Sequence, residues 1–228
     1  MKQLFNSFSA FFIHHFLKPK FSSFGKHVMI LNPQHLKIFG ENISIGDYAT
    51  LICSSDKKID ISTWQTDKLN GSISLGNYIL ISPGTSIRSA ESIDIGDSTM
   101  IASDVVITDS DWHGIYDRTD YVATPKPVKI HKNVWIGERS IILKGTQIGE
   151  NSIIAAMTGI SGSTEIGKNA MIGGQVGISG HVRIGDNVKI AAKSGIMKDI
   201  PNNSNIGGYP AENLIDWHRG TIFIKKNR

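Results

Sequence analysis

Residues 130–196 read IHKNVWIGERSIILKGTQIGENSIIAAMTGISGSTEIGKNAMIGGQVGISGHVRIGDNVKIAAKSGI. Every sixth residue is isoleucine: Ile130, Ile136, Ile142, Ile148, Ile154, Ile160, Ile166, Ile172, Ile178, Ile184, Ile190 and Ile196. Six is a multiple of two, so each Ile falls on the same face of an extended chain. No helical period gives that spacing. Two residues before each Ile stands a small or β-branched residue that shares the inward face, such as Val134, Ser140, Thr146, Thr158 and Val188. The residue after it is usually Gly, Ala or Ser, and Gly, Asn or Asp follows within two more positions, where a tight corner needs positive φ. The unit is one short strand plus one corner.

A six-residue unit cannot bury its own apolar face, so units must stack. Three strands and three corners close a triangular coil of 18 residues, and successive coils pair in parallel, with Ile130, Ile148, Ile166 and Ile184 in one column. Upstream, Leu75, Ile81 and Ile87 keep the step, a two-residue slip falls at Ser92 and Ile93, and Ile95, Ile101 and Ile107 resume it. Ile45-Gly46-Asp47 with Leu51 begins the series. The expected fold class is therefore all-β, a parallel β-helix. It is divided into an N-terminal amphipathic helix and lead-in (1–26), a β-helix domain (27–200) and a C-terminal tail or helix (201–228). Two excursions leave the helix, at about 53–71 and at 113–129. A long excursion inside a solenoid is usually functional.

The net charge of +4 is too mild, and the basic residues too scattered, for a nucleic-acid partner. A single cysteine, Cys53, excludes a disulfide framework and suits a reducing cytoplasm. No apolar run approaches a membrane span. Phe5, Phe8, Phe12 and Phe16, with Ile13 and Leu17, fall at helical spacing. They read as a helix capping the first coil or packing on a neighbouring subunit. The alternative is peripheral contact with the inner membrane, helped by Lys18, Lys20 and Lys26.

The second excursion runs from Asp109-Ser110-Asp111-Trp112-His113-Gly114 into a return of Pro127-Val128, Ile130 and Val134-Trp135-Ile136-Gly137. Over about residues 75–149 this resembles the sugar and xenobiotic O-acetyltransferase branch of the hexapeptide-repeat acyltransferases. That resemblance implies a left-handed helix, a homotrimer, and acetyl-CoA as a donor co-substrate, with no permanently bound cofactor. It makes His113 the catalytic base. The chemistry fits, because acyl transfer to an alcohol needs a group of near-neutral pKa to take the hydroxyl proton. Asp109, Asp111 and Asp117 are candidates to orient the imidazole, and Trp112, Tyr116, Asp117 and Arg118 are candidates for acceptor binding. His131 reads as an outward corner residue with a solvated or subunit-contact role, His14 and His15 cannot face one ligand from a helix, and no metal is expected.

From about 150 to 226, the strings GGQVGISGH and GGYPA with Trp217-His218-Arg219 resemble the C-terminal part of the UDP-3-O-acylglucosamine N-acyltransferases. That family's catalytic His position is held here by Lys144. The resemblance implies a donor arm lying along the coils. Trp135, Gly137, Ala155, Ala156 and Gly174 are candidates for its close approach, with Lys168 and Lys193 for its phosphates. Three functions stay open at this point. The first is an O-acetyltransferase acting on a sugar, nucleotide-sugar or glycan hydroxyl in polysaccharide synthesis. The others are an N-acyltransferase using a carrier-protein donor and a non-catalytic scaffold.

Overall fold

The computed structural model describes residues 9–114, 124–209 and 211–226. Among them the strands sort into three sheets of eight, ten and eight strands, each coil giving one strand to each sheet, plus a separate two-strand hairpin. Pairing along the prism is parallel. Ile130 pairs with Ile148, Ile148 with Ile166 and Ile166 with Ile184, as the six-residue ruler requires. All twelve ladder isoleucines are buried. At roughly 1.5–3 kcal/mol for each Ile taken out of water, these columns are the main stabilising term.

The corners explain the other repeat positions. The third corner residue takes a left-handed conformation, with φ of 60° at Asn151, 55° at Asn169 and 56° at Asn187. Asn tolerates this better than most side chains. These Asn residues also bond from coil to coil, Asn169 to Asn187 and Asn187 to Asn203 at 3.0 Å each. The inward Ser and Thr residues return their hydroxyls to corner carbonyls, as Thr158 does to Ala155 (2.8 Å) and Thr164 to Ser161 (2.7 Å). The Gly after the Ile serves close packing between coils. A Cβ on Gly167 would sit 2.7 Å from both the Asp186 nitrogen and the Gly185 carbonyl carbon. The next coil occupies that space.

The three outer faces differ in chemistry. One is polar, with Asp94, Lys129, Gln147, Glu165 and Arg183 in register. The second is apolar, with Leu80, Met100, Trp135, Ile153 and Met171 in register. The third carries Ile141, Gly159, Gly177 and Gly195 on its later coils. The excursion begins on this third face.

Two expectations upstream need correction. The series begins a full coil before Ile45, with strands Ser23–Phe24, Met29–Leu31 and Leu36–Phe39. The excursion placed at 53–71 is also narrower. Ile59–Thr63 is a strand of the third face, paired with both Leu36–Phe39 and Ser86–Ser89, and Ile59 and Ile61 are fully buried. A widened corner after Leu51 puts Ile61 out of six-residue step, so the ruler misses it. Only the hairpin of Gln65–Thr66 and Leu69–Asn70 projects.

Both ends are closed. Residues 9–12 are helical and continue through Ile13–Leu17 and Lys18–Lys20, and Leu17 and Phe21 are buried against the first coil. At the far end Glu212–Asn213 pairs antiparallel with Asn205–Gly207, and a helix follows at Leu214–Lys226. No described helix is long and apolar enough to cross a membrane.

Candidate functional site

The excursion leaves strand Val106–Thr108, and its neck is tied at several points. The backbone nitrogen of Lys126 donates to the carbonyl of Asp109 at 2.8 Å, and Gly145 donates to Lys126 at 2.9 Å. Lys144 pairs with the Asp111 carboxylate on the outgoing limb and donates to the Thr124 carbonyl on the returning limb at 3.2 Å. Trp112, in a left-handed conformation, donates from its indole Nε1 to the Thr108 hydroxyl at 3.0 Å.

Asp109 is fully buried and does not reach His113. Its carboxylate accepts from the Ser89 hydroxyl (2.7 Å), the Ala90 nitrogen (2.7 Å) and the Glu91 nitrogen (2.9 Å). These groups lie at the corner just before the two-residue slip. Extra corner residues leave backbone donors with no ladder partner, and Asp109 supplies the acceptor. Burial pushes its pKa above the usual carboxylate range, against the hydrogen bonds that favour the anion. Asp109 is thus an anchor of the neck, and Asp111 is taken up by Lys144. Among the described residues, neither orients the imidazole.

The His113 ring is exposed and its Nδ1 lies 3.0 Å from the Gly114 carbonyl oxygen. A carbonyl can only accept, so in the neutral ring Nδ1 carries the proton and Nε2 keeps its lone pair. That is the tautomer a base requires. A backbone carbonyl does here what an acidic side chain was expected to do. Tyr116, Asp117 and Arg118 lie outside the described residues.

The residues expected at the donor separate. Lys193 borders a groove of about 550 Å³ on the third face, floored by Gly159, Gly177 and Gly195 and flanked by Ile141 and Tyr209. A Cβ on Gly159 or Gly177 would meet nothing within 4 Å, so here the missing side chain leaves an open backbone floor. Sequence reading passed over these glycines because they precede the Ile, a position where most repeats carry a larger residue. Ala156 and Gly174 stand at the corner between second and third faces, and Ala155 lines an apolar cleft on the second face. Trp135 also projects from the second face. Gly137 makes room for the next coil, since a Cβ there would lie 2.5 Å from the Ala156 nitrogen. Lys168 is on a different edge, held by Glu150 at 3.0 Å, which also raises its pKa. A cleft of about 490 Å³ on the polar face takes in His131, Glu165 and Arg183, but Arg183 is already paired with Glu165 at 3.2 Å. Among the described residues no three His, Cys, Asp or Glu side chains gather as a metal site would require.

The family described as bacterial transferase hexapeptide (six repeats) matches residues 127–162 and 163–198. Over 104 residues the chain is 33% identical to a protein of Escherichia coli (strain K12) that carries the name lipopolysaccharide biosynthesis O-acetyl transferase WbbJ. The match covers 41% of this chain and 53% of that one. It is also 30% identical over 97 residues to a protein of Mycobacterium tuberculosis named as acetyltransferase Rv3034c, covering 41% of this chain and 32% of the other. The chain thus spans about half or less of the curated relatives it matches. Among solved structures, the UDP-N-acetylglucosamine acyltransferase LpxA of Bacteroides fragilis superposes with a TM-score of 0.63 at 21% identity. That superposition covers 88% of this chain and 74% of the other. LpxA of Acinetobacter baumannii gives 0.52 at 18% identity, covering 88% and 76%. At those identities the likeness is one of fold. Residues 127–198 thus carry the repeat of that family, and the fold is the left-handed parallel β-helix.

Proposed function

We propose that this chain is an acetyltransferase that moves the acetyl group of acetyl-CoA to a hydroxyl of a sugar, with His113 as general base. The observation that carries the reading is the state of His113. It stands on an excursion tied at its neck, with Nδ1 engaged by Gly114 and Nε2 without a hydrogen-bond partner among the described residues. In the reaction Nε2 takes the hydroxyl proton as the acceptor oxygen attacks the thioester carbonyl. The tetrahedral intermediate then collapses, the C–S bond breaks, and the departing thiolate takes the proton back from the imidazolium. The glycine-floored groove on the same face is where the donor arm would lie, with Lys193 at its edge for the phosphates. The names of the E. coli and M. tuberculosis relatives support acetyl transfer, and the first supports a glycan acceptor.

His113→Ala should lower the transfer rate by about 10²–10⁴-fold, the usual share of a positioned base. Full activity in that variant would end the assignment. The carrier-protein N-acyltransferase reading is weaker. Lys144, at that family's His position, is committed to Asp111 and the Thr124 carbonyl. A screen of acetyl-CoA against acyl-carrier thioesters separates the two, and binding of neither donor would favour a scaffold. A homotrimer in the cytoplasm belongs to the same proposal, with peripheral membrane contact through the N-terminal helix as the alternative to a purely capping role.

A further inference from the structure

On the earlier coils of the third face, on the other side of the excursion from the glycine floor, lies a second cleft. It has a volume of about 340 Å³ and is lined by Lys37, Asp60, Ser62, Trp64, Arg88 and Trp112. We propose that this cleft binds the acceptor, and that the acceptor is a pyranose bearing an anionic substituent. The word acceptor rests on the transferase reading above; the binding site itself does not.

Three observations converge on this chemistry. The first is an exposed aromatic platform. Phe39 and Trp64 have ring centroids 5.1 Å apart, and Trp64 meets Trp112 edge to face at 5.7 Å. Trp64 remains 43% exposed and Phe39 49%. Trp112 holds its place through Thr108, whereas the indole N–H of Trp64 has no partner among the described residues. An indole with an open apolar surface and a free donor suits a sugar ring, which presents C–H groups to the ring face and hydroxyls at its rim.

The second observation is an uncommitted cation. Lys37 is paired with Asp60 at 2.8 Å, and Asp60 also accepts from the Ser62 hydroxyl. The Arg88 guanidinium is exposed and has no ion-pair partner among the described residues. It stands in register between Ser62 and Thr108. A planar guanidinium with five free donors matches a phosphate or carboxylate in bidentate fashion.

The third is placement. Strand Val106–Thr108, which launches the excursion, pairs with Ser86–Ser89 on the cleft side and with Ile141–Ile142 on the groove side. Adjacent residues of the outgoing limb reach opposite ways, Trp112 toward Trp64 and Asp111 toward Lys144. Two sites on one face with a base on the loop between them is the arrangement a two-substrate transfer needs.

The test is calorimetric titration of the full chain, without donor, using the α-1-phosphates of glucose, galactose and mannose, together with glucuronate, methyl α-glucoside, inorganic phosphate and uridine. At least one anionic sugar should bind saturably, and about tenfold more tightly than the neutral glucoside or phosphate alone, the value of one charge-assisted contact. Preference for a sugar phosphate or for glucuronate tells which anion Arg88 receives. Trp64→Ala and Arg88→Ala should each weaken that binding about tenfold. Trp64→Phe should retain most of it, and Gln147→Glu, on the polar face, should bind as the unaltered protein does. Both cleft positions are exposed, so these changes leave the fold intact. Absence of saturable binding by any anionic sugar would overturn the proposal. So would binding by Trp64→Ala or Arg88→Ala as tight as that of the unaltered protein, or uridine binding as tightly as the sugars. Loss of transfer in His113→Ala is read separately, so the base and the cleft can fail independently.

Discussion

At the residue scale the excursion depends on two side chains that work through opposite properties. His113 is exposed and held at Nδ1 by the Gly114 carbonyl, as the proposed base would have to be. Asp109 is buried and held by three donors, and its role is to fix the neck. Asp109→Asn would turn an amide N–H toward backbone donors, with an expected loss of about 1–3 kcal/mol at neutral pH. The pH dependence is specific. Burial raises the pKa of Asp109, so the folded chain holds that proton more readily than the unfolded chain. Between the unfolded and folded pKa values the native state binds more protons, and the stability this group contributes rises as pH falls through the folded value. Asparagine does not titrate, so the gap between the original protein and Asp109→Asn should widen on acidification. Urea unfolding of both proteins at neutral and mildly acidic pH checks this; a gap that narrows contradicts it. Cys53 offers no comparable handle, because burial pushes its thiol up to about 11 and keeps it protonated.

At the element scale the same residue type does two jobs. Gly167 faces the backbone of the next coil, so Gly167→Ala should force the coils apart and cost about 1–3 kcal/mol. Gly177 faces open space, so Gly177→Ala should be neutral or stabilising by up to about 1 kcal/mol. It should also raise the KM for acetyl-CoA, because the groove floor is no longer bare. Thermal unfolding and donor kinetics on the two variants read these effects separately; equal destabilisation, or an unchanged donor KM in Gly177→Ala, would count against the groove. The contrast also marks what was legible in the sequence. The twelve-isoleucine ladder gives strand, corner and register directly, because burial is periodic. The close contact at Gly167 and the open floor at Gly177 look alike in one dimension, since the difference lies in what the neighbouring coil puts opposite. The candidate role of His113 was legible through its motif. Its carbonyl partner was not, because a backbone oxygen leaves no mark in a sequence. Strand Ile59–Thr63 was missed for another reason: widened corners move a buried Ile out of step without moving it out of the core.

At the scale of the whole molecule, the three faces are unequal in a way that one isolated prism does not explain. The polar face is solvated, and the third face carries the groove and the cleft. The second face presents Met100, Trp135, Ile153 and Met171 in consecutive register, with Met100, Trp135 and Met171 each nearly half exposed. The apolar cleft beside them is closed at one end by Leu214 of the terminal helix. A continuous apolar ladder of this kind marks an interface, and a straight prism that repeats the same patch on every copy closes naturally into a ring. On the trimer proposed above, the protein should behave in sedimentation equilibrium as a particle of three times the 24.9 kDa chain mass. Trp135→Glu puts a charge at the centre of the ladder and should shift the mass toward that of the single chain. Gln147→Glu, an equal change of charge on the polar face, should leave it untouched. A single-chain mass for the unaltered protein would remove the trimer, and an unchanged assembly in Trp135→Glu would move the interface to another face. If the trimer dissociates and acetyl transfer falls with it while His113 and the cleft variants keep their binding behaviour, the donor groove is completed by a neighbouring subunit. If transfer survives in the single chain, the third face is sufficient by itself.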